Sequence, residues 1–153
     1  MTAYNTEISG RRFEQFNAVR NEDTIQISGT YIVKLVNNGI LPSRDIQLDT
    51  NTVSMMDIGE SIITSDSRTI GQISPLSEKE VSIDFNRSIP YANTEGYITQ
   101  VCNNSFINIS TESELSGKFV SNKLSSKQSA SISNVSCNLE QSSETQPEPR
   151  PKP

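Results

Sequence analysis

The residues with most chemistry to offer in this 153-residue chain are two cysteines, a scatter of carboxylates and amides, and many hydroxyls; histidine is absent. Without imidazole there is no Ser–His or Cys–His nucleophilic pair, no histidine metal ligand and no imidazole pH switch. Cys102 and Cys137 fit a disulfide closing a loop of roughly 35 residues, which would stabilise the fold by about 3–4 kcal/mol. Two unlinked thiols are the other reading, and so wide a spacing matches neither a redox pair nor a zinc site.

The carboxylates bear on metal binding and acid–base chemistry. Residues 49–60 place Asp49, Asn51, Asp57 and Glu60 where a twelve-residue calcium loop carries oxygen ligands. Val53 and Ser54 occupy the positions that want a ligand and a glycine, and the flanks read as strands, so an EF-hand is excluded. A solvated acidic loop is expected instead. Glu78 and Glu80 flank Lys79 at a strand entry, Glu22 and Asp23 should diverge as strand neighbours, and Asp66 stands alone between serines. No nucleophile elbow, Ser-x-x-Lys motif or glycine-rich phosphate loop occurs. The expectation is therefore no enzyme, with no catalytic, cofactor-binding or metal-binding residues and no cofactor. Met55 and Met56 offer a soft contact surface in a loop or a cap on one end of the fold.

Thirteen basic and eighteen acidic residues give a net charge of −5. No nucleic-acid partner is expected for such a chain, since its densest basic cluster is only Arg11-Arg12, with Glu14 close behind. No run of 18 apolar residues exists, so no membrane insertion is expected. Residues 1–12 lack the apolar core of a secretory signal, leaving a cytoplasmic protein or a fragment without its leader. Sequons begin at Asn86, Asn103, Asn108 and Asn134, but composition alone supplies about three such triplets, so they carry no weight.

The elements that must position these groups read as strands. Leu, Ile, Val and Phe make up 37 residues, enough for one modest core. Residues 24–36 alternate, with Ile25, Ile27, Tyr31, Val33 and Leu35 on one face, and residues 80–85 put Val81, Ile83 and Phe85 inward. Shorter strands are predicted at 13–19, 45–48, 61–64, 69–73, 96–102, 106–110, 118–120 and 129–135, with helix nearly absent. Asn37-Asn38-Gly39, residues 41–44, 74–77 and 89–91 are turns. This is an all-β pattern, an antiparallel β-sandwich of about seven to eight strands whose 24–35 and 81–85 faces meet across a layer about 10 Å thick. The domain is expected over 12–137, after a flexible segment 1–11. A tail over 138–153, with four of the seven prolines, is expected to be disordered.

The segment from Gly29 to Pro42, the strand piece Asp45-Ile46-Gln47-Leu48 and the run from Ile70 to Ile83 resemble two groups of immunoglobulin-like domains. One is the WHy domain of late-embryogenesis-abundant proteins, and the other the archaeal and bacterial CARDB-like adhesion domains. The resemblance implies an immunoglobulin-like sandwich acting as an interaction or scaffold module of a cell-envelope or surface protein, with an unknown protein partner. A soluble stress-protective domain and a filament or virion subunit are the alternatives. It places the chain outside the cytoplasm or at the cell surface, with a cytoplasmic location as the alternative, and leaves the oligomeric state open.

Overall fold

The computed structural model of the chain describes residues 6–120 and 125–140. Its elements in order are β1 (Thr6–Asn21), β2 (Thr24–Asn37), β3 (Ser43–Met55), β4 (Glu60–Ile63), β5 (Asp66–Ile73), β6 (Glu78–Pro90), α1 (Glu95–Asn104), β7 (Phe106–Lys118) and β8 (Ser125–Asn138). Of the expected flexible N-terminal segment, residues 1–5 lie outside the described residues, and Thr6 already begins β1. Residues 141–153 of the expected tail also lie outside them.

The strands form one eight-stranded sheet in the order β4-β3-β7-β8-β1-β2-β6, with β5 pairing the first part of β3 (Ser43 to Thr50) where β4 pairs its last residues. It curls through 283° around an axis into a near-barrel. The sheet edge strands β4 and β6 come close without forming a ladder. The immunoglobulin-like two-layer sandwich is therefore overturned, and with it the WHy and CARDB-like resemblance. The expected facing of 24–35 against 81–85 fails for the same reason. β2 and β6 are hydrogen-bonded neighbours, with Tyr31 opposite Ile83 and Val33 opposite Val81. Alternating burial is equally served by two facing sheets or by one sheet wrapped around its own core.

What bends the sheet is visible in β1 and β8. β1 pairs β2 antiparallel with register shifts between Ile8 and Gly10 and between Phe13 and Gln15, and such extra residues bend a strand and increase its twist. β8 changes partner along its length. Ser125 to Ser131 run antiparallel to β7, and Ile132 to Asn138 run parallel to β1. The turn of the barrel passes through this hand-over.

Inside lie Phe13, Phe16, Tyr31 and Phe85, with ring centroids 5.2 to 6.3 Å apart, beside Ile25, Ile27, Leu35, Ile46, Leu48 and Ile109. At one end the loops after β2, β5 and β7 are tied by buried polar groups. Asn37 Nδ2 donates to the carbonyls of Leu41 (2.9 Å) and Ile73 (3.0 Å), and its Oδ1 accepts from the Gly39 amide (2.8 Å). Thr6 and Ser43 share a hydroxyl hydrogen bond, and the Ser43 hydroxyl donates to the Phe119 carbonyl at 2.9 Å.

The other end is closed by α1. Residues 96–102 were expected as a strand, and the structure corrects this to a helix whose buried face is Ile98 and Val101, three residues apart. Ser105 ends it in the left-handed conformation, its amide bonded to the Val101 carbonyl. The Ser105 carbonyl then accepts from the Ile132 amide at 2.9 Å, and a Cys102–Cys137 disulfide fastens the helix to β8. Among the described residues no helix is long and apolar enough to cross a membrane.

Candidate functional site

The helix end carries a recess of about 50 Å³ lined by Asp57, Tyr97, Gln100, Val101, Asn104, Phe106, Ile107 and Asn108. Three elements build it. On α1, Tyr97, Gln100 and Asn104 fall three and four residues apart, hence on one helix face. On β7, Phe106 and Asn108 point outward while Ile107 and Ile109 turn into the core. Asp57 comes from the turn between β3 and β4, where Gly59, at positive φ, donates to the Met55 carbonyl at 2.8 Å.

Asn108 holds the arrangement together. Its side-chain amide donates to Asp57 Oδ2 at 3.3 Å and its Oδ1 accepts from the Ser129 hydroxyl at 2.5 Å. Its backbone carbonyl accepts from the Met56 amide at 3.0 Å and from the Tyr97 hydroxyl at 3.4 Å. Burial and then the negative charge of Asp57 push the Tyr97 hydroxyl up to about 12, opposed by that bond to Asn108. Tyr97 is thus a neutral donor or acceptor at any physiological pH. Beside these groups the Phe106 ring is 45% exposed at the first position of β7. An open aromatic face, a carboxylate and two further amides, from Gln100 and Asn104, therefore border one recess. The set offers both hydrogen-bond donors and acceptors around an apolar platform.

The residues singled out in sequence fall as follows. Asp49 and Asn51 lie on β3, away from the turn holding Asp57, so 49–60 is a strand and a turn rather than a cation loop. Asp49 accepts from Ser67 Oγ (2.6 Å) and Gln47 Nε2 (3.1 Å), which hold its carboxyl below the usual range. Among the described residues no cluster of three His, Cys, Asp or Glu could hold a metal. Glu78 pairs with Lys34 at 3.0 Å, Glu80 with Arg12 at 3.2 Å and Asp66 with Arg68 at 2.9 Å. Glu22 and Asp23 form the β1–β2 turn, where the Asp23 carbonyl accepts from the Tyr91 amide. Met55 is buried in the core, and only Met56 reaches the surface, at 39% exposure.

Comparison with known proteins gives no matching family model, and no curated protein matches either. Among solved structures, a putative beta-galactosidase from Bacteroides fragilis matches over 81% of this chain at 16% identity and TM-score 0.45. This chain spans only 17% of that enzyme. A protein of Arabidopsis thaliana matches over 88% of this chain and 83% of its own, at 12% identity and TM-score 0.44. One from Archaeoglobus fulgidus matches over 81% and 96%, at 10% identity and TM-score 0.35. Likeness at this level transfers no reaction, ligand or partner.

Two expectations are nevertheless corrected. The exclusion of enzymatic activity, drawn from missing motifs, does not stand for a near-barrel; the interaction or scaffold module, with its stress-protective and filament alternatives, rested on an immunoglobulin-like sandwich. The near-barrel removes that basis.

Proposed function

We propose that this near-barrel binds a saccharide at its helix end. A sugar ring presents one face of C–H groups and a rim of hydroxyls, each able to donate and accept. The exposed Phe106, lining one recess with Asp57, Gln100 and Asn104, is the observation that carries the reading. The ring would lie on Phe106, and a single rim hydroxyl would enter the recess, whose volume suits a group of about the size of water. Asp57 Oδ1 would accept from that hydroxyl as a charged and therefore stronger partner, with Gln100 and Asn104 addressing its neighbours. The Cys102–Cys137 bond holds the helix that supplies these amides, and it supports an extracytoplasmic, oxidising location.

Saturation-transfer NMR against a panel of neutral mono- and disaccharides tests this. The expected result is contact from one ring face, and binding at least about tenfold weaker in Phe106→Ala with the melting temperature nearly unchanged. No binding to any sugar at millimolar concentration, or equal binding in Phe106→Ala, would overturn it.

A further inference from the structure

The barrel end opposite α1 presents apolar side chains to solvent. Leu76 is 79% exposed, Ile40 71% and Leu41 41%. They stand on two loops, 38–42 after β2 and 74–77 after β5, which one buried residue fastens together. Asn37 Nδ2 bonds the Leu41 and Ile73 carbonyls, and the Asn37 backbone amide donates to the Ser77 carbonyl at 2.9 Å. The three side chains are therefore fixed tips at one end of the sheet. Leu76 is held there at φ 59°, a left-handed conformation in which Cβ crowds the backbone and glycine sits with less strain.

Cations flank the tips. Arg44 follows Leu41 by three residues, and Lys79 follows Leu76 by three. Arg44 lies directly opposite Lys118 in the β3–β7 ladder, and both are exposed. Like charges so placed weaken a ladder. Among the described residues none of these three cations forms an ion pair, and Lys79 donates only to the Ile70 carbonyl, at 3.4 Å. Of the acids at this end, Glu78 is paired with Lys34 at 3.0 Å and Glu7 accepts from Asn38 at 3.4 Å, which leaves Asp45 next to Arg44. The net charge of −5 belongs to the whole chain, and physiological salt screens it beyond about 8 Å. A surface meeting this end therefore meets the three cations first.

We propose that this end docks on an anionic bilayer surface, with Ile40, Leu41 and Leu76 entering the headgroup layer and Arg44, Lys79 and Lys118 meeting lipid phosphates. Side chains as exposed as Leu76 and Ile40 project from the protein. A fluid surface closes around each projecting tip, whereas a rigid protein partner must supply a matching socket for every one. Apolar tips with cations beside them provide both parts of interfacial binding, burial of carbon surface and attraction to negative headgroups. The contact is peripheral, since among the described residues no helix is long and apolar enough to cross a membrane. It does not rest on the saccharide reading, and it leaves the helix end facing away from the lipid.

Co-sedimentation of the intact chain with vesicles of phosphatidylcholine, alone and mixed with phosphatidylserine, tests this. Binding to the mixed vesicles should exceed that to phosphatidylcholine by about tenfold or more and fall as salt is added. Leu76→Gly combined with Ile40→Ser should weaken it by about tenfold or more. Tm should hold or rise in that variant, because glycine relieves the left-handed backbone. Arg44→Gln with Lys118→Gln should remove most of the preference for phosphatidylserine. Should the loop variant fail to fold, Leu76→Trp gives a second readout, since the chain has no tryptophan of its own, and its emission should shift to the blue on mixed vesicles. No sedimentation above a vesicle-free control, equal binding to both lipids, unchanged binding in the folded loop variant, or an unshifted emission would overturn the proposal. So would a concentration-dependent dimer, lost in the loop variant, that ignores vesicles, because the tips would then meet a second copy of the chain.

Discussion

Val33 of β2 and Val81 of β6 stand directly opposite one another on hydrogen-bonded neighbours, both buried on the inner face of the curled sheet. The pair is a lateral contact in one wall of the barrel. Val33→Asp would place a carboxylate between its two cross-strand neighbours, Val81 of β6 and Arg11 of β1, where desolvation outweighs what one guanidinium returns. It should unfold the chain, a loss of about 4 kcal/mol or more. Circular dichroism and a thermal melt check this, and a retained cooperative transition near the wild-type Tm would contradict the burial described.

Gly29 lies beside the register shift between Phe13 and Gln15, and a Cβ there would overlap the Gln15 carbonyl oxygen and press on Phe85 Cζ at 3.0 Å. Gly29→Ala should cost about 3 kcal/mol or more, since backbone must move. Gly10→Ala, where a Cβ meets nothing, is the matched control and should be near neutral. Urea denaturation of the two variants side by side measures the contrast.

The Cys102–Cys137 bond joins residues 35 apart with Cα atoms at 6.3 Å. Cys102→Ser with Cys137→Ser should lower stability by about 3–4 kcal/mol on the chain-entropy model. The loss should centre on α1, seen as faster amide exchange over 95–104 than over β2. Uniform acceleration across both would mean that the bond does not act locally.

Tyr31 and Tyr97 are both pushed up to about 12, chiefly by burial. Each keeps its proton in the folded state at pH values where the unfolded chain, near 10, has lost it. The native state then binds more protons, so stability falls as pH rises from about 10 to 12 and is full below. Absorbance titration should show these two phenols ionising only as the fold is lost. Asp57→Asn removes the negative charge beside Tyr97 and should bring that group down while leaving Tyr31 in place.

Asn37 is fully buried and satisfies two carbonyls and one amide across two loops. Asn37→Leu keeps the bulk and strands those three groups, at a cost of about 3 kcal/mol. Hydrogen exchange should rise first in residues 38–42 and 74–77. Unchanged protection in both loops would show that other contacts hold them.

Much of this was readable beforehand. Ile25, Ile27, Tyr31, Val33 and Leu35, interrupted only by Gly29, and Val81, Ile83 and Phe85 alternate, so strand and inward face follow from period alone. β1 was harder because its bulges displace Phe13, Phe16 and Ala18 from strict alternation. The helix was missed because Tyr97, Thr99 and Val101 imitate a strand over so short a stretch, and only the Ile98–Val101 spacing argued otherwise. That error hid the set lining the recess at the helix end, since Tyr97, Gln100 and Asn104 share a face only on a helix. Arg11 was noticed merely as the neighbour of Arg12, although strand geometry sends the two to opposite sides. Closure into a barrel has no local signal at all, because the β1–β8 pairing joins residues more than a hundred positions apart.

That last pairing sets a schedule for synthesis. As the chain emerges from the ribosome, β1 can meet β2 as soon as the residues that follow it are made, but its opposite flank waits for β8. Until Ile132 to Asn138 have left the exit tunnel, the edge from Phe13 to Val19 offers bare amides and carbonyls to any passing strand. Newly made chains cut short before that point should clump, whereas chains that include β8 seal the seam themselves.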